Sequence, residues 1–216
     1  MGYVVYSVKL GDNVYNIANE YKTSIERIIV SNPNINMYRM RPGAKIIVPV
    51  RNVVDTQVSY SSEILEKDIQ NLKLIYPFLE VGEIGKSVLN KSLPYIKIGN
   101  GNKKVFYSAA FHANEWITSL VLMKFLEEYA KAFVENKNIF GHNAQALYYT
   151  TSLYIVPMVN PDGVDLVTGS IKNVEDAYKN AVQIANNFPE IPFPDGWKAN
   201  INGVDLKNYQ PICKVL

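Results

Sequence analysis

Val105-Phe106-Tyr107-Ser108-Ala109-Ala110-Phe111, followed at once by His112-Ala113-Asn114-Glu115-Trp116, is the stretch on which the fold turns. The first seven residues form a short, mostly apolar run, which predicts a buried strand. From Trp116 to Phe133 the chain stays mostly apolar for much longer than a strand, which predicts a helix. Ser152–Val159 repeats the buried-strand pattern downstream, and Val174–Phe188 reads as another helix. Upstream, Leu65, Ile69, Leu72 and Tyr76 follow a helical period that Pro77 stops. Glu80–Val88 and Tyr95–Ile98 read as strands, with turns at Gly85-Lys86 and at residues 99–102. Strands alternating with helices predict an α/β domain with parallel pairs.

The strand-to-helix junction also carries chemistry. His112 and Glu115 are three residues apart, so an imidazole and a carboxylate can converge on one cation there, and zinc accepts both ligand types. Taken alone, the spacing is a weak signal, and the pair reads more readily as a hydrogen-bonded histidine beside a glutamate in the helix's capping region. The second histidine, His142, lies in the sequence Phe140-Gly141-His142-Asn143 and reads as a surface loop.

Composition narrows the classes. The 216 residues are 48% hydrophobic and 19% charged, enough apolar side chain for a packed core. The net charge is +2 with no basic stripe, which argues against a nucleic-acid partner. The one cysteine, Cys213, cannot form an intrachain disulfide and has no His or acidic neighbour to activate it. Lys9, Gly11 and Asp12 interrupt the N-terminal apolar residues, so no signal peptide is expected, and no run approaches the ~20 apolar residues of a membrane span.

Residues 1–50 read as a separate unit. Val4, Val5, Tyr6 and Val8 predict a short strand. Gly11-Asp12-Asn13 predicts a turn in which Asp12 caps a helix bearing Val14, Ile17, Ala18 and Tyr21 on one face. Thr23-Ser24-Ile25-Glu26 has capping-box spacing before a second helix with Ile25, Ile28 and Ile29, which residues 31–34 end. Pro42-Gly43 turns the chain into the strand Lys45–Pro49. Residues 51–60 are polar without a period and read as a linker.

The strand, helix, helix, strand order of the first fifty residues resembles a LysM domain. Tyr6-Ser7-Val8-Lys9-Leu10-Gly11-Asp12, Ser31-Asn32-Pro33 and Pro42–Pro49 carry the likeness. The resemblance implies a peptidoglycan or other N-acetylglucosamine polymer as partner. It places the groove between the Gly11–Asn13 turn and the Asn32–Tyr38 loop, with Gly11, Asp12, Asn13, Asn32, Asn34 and Ile35 at the glycan.

Five further motifs stand in the order of zinc carboxypeptidases, and the chain over residues 61–206 resembles the bacterial branch that cleaves γ-D-glutamyl–diamino acid bonds in peptidoglycan. They are Ile84–Val88, Ile96–Gly101, His112–Thr118, Ile155–Val164 and Asn200–Leu206. The expected fold class is α/β: a small βααβ module, then a partial carboxypeptidase-like domain over 61–216 with a mixed, largely parallel sheet. The resemblance implies zinc as cofactor, His112 and Glu115 as its first two ligands, and a turn at Asn160-Pro161-Asp162-Gly163. Asn202, Lys207 and Asn208 stand where relatives place substrate-binding groups. No residue matches the family's third zinc ligand, a downstream His, or its general-base Glu, so the catalytic base is expected to be absent.

Several expectations follow. Two ligands where catalytic zinc takes three predict weak metal binding and little hydrolysis by this chain alone. A sheet ending near Leu206 is expected to leave an apolar edge open, to be met by a homodimer or a complementing chain. The alternative to a peptidase is a catalytically inactive wall-binding protein. The absence of a leader is expected to leave the protein in the cytoplasm, or associated with a spore or the wall of a bacterium.

Overall fold

The computed structural model describes residues 2–207. Its N-terminal part pairs β1 (Tyr3–Ser7) with β2 (Lys45–Pro49), antiparallel, around α1 (Val14–Glu20) and α2 (Ile25–Ser31). Tyr6, Val14, Ile17, Ile28, Ile46 and Val48 are buried in a cluster of their own. Both helix caps sit one residue later than the sequence predicts. Asn13, not Asp12, caps α1 by accepting from Asn16 N. The Asp12 carboxylate is engaged elsewhere, accepting from Tyr6 Oη at 2.8 Å and Lys9 N at 2.7 Å. Ser24, not Thr23, caps α2 by accepting from Arg27 N, so no capping box forms.

The connection over residues 51–60 has no helix or strand, yet Val53, Val54 and Tyr60 are buried within the main core. Beyond it come α3 (Ser62–Ile75), β3 (Glu80–Lys86), β4 (Ser92–Ile98) and β5 (Lys103–Ser108). A 3₁₀ turn at Ala113–Glu115 leads into α4 (Ile117–Val134). The small hairpin β6 (Asn138–Ile139) and β7 (His142–Asn143) carries His142 at the surface. Then follow α5 (Ala144–Thr150), β8 (Thr151–Val156), α6 (Pro161–Val167) and α7 (Asp176–Ala185).

The main sheet has the order β3-β4-β8-β5 and is mixed. It is not largely parallel: β3 with β4 and β4 with β8 are antiparallel, and β5 with β8 is the one parallel pairing among the described residues. The physical reason is the tight Ser87–Lys91 connection, which forces β3 and β4 into a hairpin. β8 is central and buried, as its apolar run requires. β5 is not a buried strand. It lies at the sheet edge among the described residues, with Phe106 60% and Tyr107 47% exposed. Its sequence, Lys103-Lys104-Val105-Phe106-Tyr107-Ser108, opens on two exposed lysines, whereas β8 ends on the buried Ile155 and Val156. No helix among the described residues is long and apolar enough to cross a membrane.

What positions the site is the parallel pair. β5 and β8 run level to Ser108 and Val156, and the loops leaving them stay zipped together. Ala109 N donates to Val156 O, Val159 N to Ala109 O, and Asn160 N to Ala110 O. The two loops therefore emerge side by side at the strands' carboxyl ends, where open α/β sheets present ligand sites.

Candidate metal centre

The loop after β5 is held on every side. Ala110 adopts a left-handed φ of 50°, which turns the chain out of the strand. The 3₁₀ turn then leaves early amide donors without helical partners, and another segment accepts them: Ala113 N donates to Lys198 O and Asn114 N to Trp197 O, both at 3.1 Å. Thr118 Oγ1 donates to Glu115 O at 2.7 Å and accepts from Ala110 N at 3.0 Å, clamping the start of α4 to the loop.

Asn160-Pro161-Asp162-Gly163, expected as a turn, is the start of α6. Asn160 is its N-cap and Pro161 occupies the first turn, where a missing N–H costs nothing. Asn160 Nδ2 donates to Phe111 O at 3.1 Å and Ala199 O at 3.0 Å, so one amide holds the residue before His112 and the 197–199 segment together. Gly163 allows the close approach: a Cβ there would lie 2.6 Å from Ala199 O and 2.8 Å from Ala113 Cβ. Asp162 is buried and accepts from Ser87 Oγ and Leu89 N, each at 2.9 Å, tying α6 to the β3–β4 connection.

On this frame His112 is buried and Glu115 is exposed at the rim. His112 Nδ1 lies 3.0 Å from Glu115 Oε1. Two donors bound to one tetrahedral zinc at about 2.0–2.1 Å are roughly 3.3 Å apart, so the pair fits one edge of such a site. The other ring nitrogen, Nε2, lies 3.5 Å from Asp205 Oδ1. A tautomer that frees Nδ1 as a ligand carries its proton on Nε2, facing that carboxylate, which is how outer carboxylates orient metal-binding histidines. Among the described residues no group of three or more His, Cys, Asp or Glu side chains is placed to hold a metal ion.

Sequence reasoning passed over Asp205 as a site residue. Its only signal is an acid two positions before Lys207 in an otherwise apolar Gly203–Leu206 run. Lys207 is exposed, and its backbone N donates to Asp205 Oδ1 at 2.9 Å, which links it to His112 through one carboxylate. Asn202 is exposed in a turn built by Asn200, whose Oδ1 accepts from Asn202 N and Val204 N at 3.0 Å each. Asn208, like Cys213, lies outside the described residues. Beside Asp205 a cleft of about 500 Å³ runs between α7 and the 188–199 segment, walled by Phe188, Ile191, Phe193 and Trp197.

In the N-terminal part, the Gly11–Asn13 turn is followed by α1, from which exposed Tyr15 reaches to 6.5 Å, centroid to centroid, from exposed Tyr38 of the 32–38 loop. That contact brings the two expected edges of the groove together through aromatic faces that the sequence pattern did not single out. Asn34 is exposed and Ile35 half-buried. The Asn32 side chain is spent on the fold, donating to Ile28 O and Ile47 O and accepting from Ile47 N.

The zinc carboxypeptidase family model matches residues 65–210, and the LysM domain model matches residues 6–49. Gamma-D-glutamyl-L-diamino acid endopeptidase 1 of Lysinibacillus sphaericus is 46% identical over 159 residues, covering 74% of this chain and 39% of that protein. The uncharacterized protein YqgT of Bacillus subtilis (strain 168) is 32% identical over 240 residues, covering 98% of this chain and 62% of its own. This chain thus spans less than two thirds of either relative. Among solved structures, bovine thrombin-activatable fibrinolysis inhibitor bound to tick carboxypeptidase inhibitor is 20% identical over 67% of this chain and 38% of that one, with a TM-score of 0.47.

Proposed function

The chain belongs to the zinc carboxypeptidase family, and from that premise we propose a metallopeptidase directed at peptidoglycan, hydrolysing amide bonds of the stem peptides. The proposed division is a glycan-binding module over 1–50, a connector over 51–60 and a hydrolase unit over 61–216. LysM domains bind N-acetylglucosamine polymers, which supports wall association, and the relative from Lysinibacillus sphaericus bears the name of a gamma-D-glutamyl-L-diamino acid endopeptidase.

The observation that carries the reading is the His112–Glu115 pair, 3.0 Å apart on a turn whose every amide is tied down, with Asp205 behind the imidazole. His112 Nδ1 and Glu115 would hold the zinc. When bound, zinc polarises a carbonyl and lowers the pKa of a coordinated water. Asp205 fixes the tautomer and plane of His112. Asn202, Lys207 and Asn208 offer polar contacts to the substrate, and the Tyr15–Tyr38 side of the module, with Gly11, Asp12, Asn13, Asn34 and Ile35, faces the sugar. Asn32 acts there by shaping the loop. β5, the sheet edge among the described residues, supports pairing with a second copy of the chain.

Catalytic zinc takes three protein ligands, and the described residues place two together, which supports weak metal retention by this polypeptide. The same count supports a second reading, a wall-binding protein without peptidase activity. One pair of assays separates the readings: zinc content after dialysis, and cleavage of a γ-D-glutamyl–diamino acid stem peptide. Zinc lost together by His112→Ala and Glu115→Ala, with turnover in the parent, supports the peptidase. Glycan pull-down without turnover at saturating zinc supports the second reading. Peptidoglycan binding that survives deletion of residues 1–50 overturns the module's role in both.

A further inference from the structure

The connector and α2 join the two units by buried polar contacts. α2 packs on both α3 and α4. Ser31 Oγ at its C-terminus lies 2.8 Å from Ile75 O, the last carbonyl of α3, across the junction, and 2.8 Å from Arg27 O in its own helix, so its one proton is shared between the two. Arg27 is buried at 6% exposure on the same helix face, and Tyr3 and Val30 pack onto the main core. The connector is pinned from the other side. Glu127, buried in the middle of α4, accepts from Val53 N at 2.5 Å and Val54 N at 3.3 Å, with Lys124 Nζ 3.0 Å from the same carboxylate. Tyr60, fully buried, donates to Asp68 at 2.8 Å and fixes the connector's far end to α3. Gly2, just before β1, closes the seam: a Cβ there would lie 2.7 Å from Val53 Cγ2 and 2.9 Å from Arg51 O, so the chain entering β1 lies close against the connector.

A tether would leave such groups exposed. A buried carboxylate is tolerated only where donors meet it, and Glu127 meets the connector's amides. We infer that the N-terminal module and the larger unit move as one body, so that the module's proposed sugar-facing side and the His112–Glu115 site keep one fixed mutual orientation. The glycan half of this inference rests on the proposed function; the rigid junction does not.

The test uses the full chain with Cys213→Ser and spin labels at Asn19→Cys in α1 and Lys104→Cys in β5, read by pulsed dipolar spectroscopy. One narrow distance peak is expected, unchanged by a chitin hexasaccharide. A broad distribution in the parent, or a peak that shifts with the sugar, overturns the inference. Amide exchange supplies a second readout that needs neither metal nor glycan. Val53 and Val54 amides are expected to be as protected as those in the middle of α4, and Glu127→Ala to speed their exchange by at least about tenfold. Fast exchange of both amides in the parent contradicts the pinned junction. Failure of wall binding or hydrolysis leaves both measurements decisive.

Discussion

The N-terminal module closes on itself over short stretches of chain, whereas the larger unit closes over long ones. In the module, the buried amide of Asn32 pins Ile47, 15 residues away. In the larger unit, the buried carboxylate of Asp165 accepts from Ser62 N, 103 residues away, from Ser62 Oγ, and from Lys91 Nζ at 2.5 Å. Both are polar groups that cost free energy to bury unless fully partnered. They differ in how much chain must already be in place before the partners arrive, and removing each should therefore damage a different part of the molecule.

Asp165→Ala is expected to do the most harm. It strips Lys91 and the Ser62 amide of their acceptor, at about 3 kcal/mol, and unfastens α3 and the β3–β4 connection together. Denaturant unfolding followed by Trp197 fluorescence checks this, and a loss under about 1 kcal/mol would break the comparison. Asn32→Ala comes next. It removes three short hydrogen bonds, two that join the end of α2 to Ile47 of β2 and one back to Ile28 O, at about 2 kcal/mol. Amide exchange should rise first in β1 and β2 and leave β8 protected. Equal loosening of both regions would show that the module has no closure of its own.

A smaller effect is read through pH. Burial is the main cause that pushes Asp68 up to about 6, with the charges of Glu127 and Asp55 adding and the Tyr60 hydrogen bond opposing. The unfolded carboxyl titrates near ~3.9. Between those values the folded state binds more protons, so this group's contribution is fully present below the window and is lost as pH rises through about 6. Asp68→Asn keeps an acceptor for Tyr60 and should flatten stability between pH 4 and 7 by on the order of 1 kcal/mol, allowing for solvent screening. An unchanged slope in paired pH 4 and pH 7 melts would contradict it. Least of all should Lys67→Ala matter. Its pair with Glu63 is exposed on both sides and contributes at most ~0.5 kcal/mol, a shift that urea midpoints should barely register.

The same contrast explains what could be read in the sequence. The module's elements follow from local patterns, and the misplaced caps err by a single residue, because Asp12 and Asn13 are both good caps and only the Lys9 and Tyr6 contacts remove Asp12 from the helix. In the larger unit a strand was legible near Val105–Phe111, though it runs over Lys103–Ser108, and its exposure was not legible, since an apolar run does not state how many neighbours it has. Nor was the connector's burial, because Val53 and Val54 look like any polar-flanked pair until Glu127 is placed beneath their amides. At the site, His112 and Glu115 were legible from three-residue spacing on a strand-to-helix junction. Asp205 was not, because ninety-odd residues of chain must fold before it reaches the imidazole.

Zinc titration in competition with a chromophoric chelator, run on the parent and on His112→Ala, Glu115→Ala and Asp205→Asn variants, addresses the centre most directly. The account predicts that either ligand substitution abolishes competitive binding, while Asp205→Asn weakens it by roughly 10- to 100-fold. Zinc held equally well by the parent and by the chain lacking both His112 and Glu115 would contradict it.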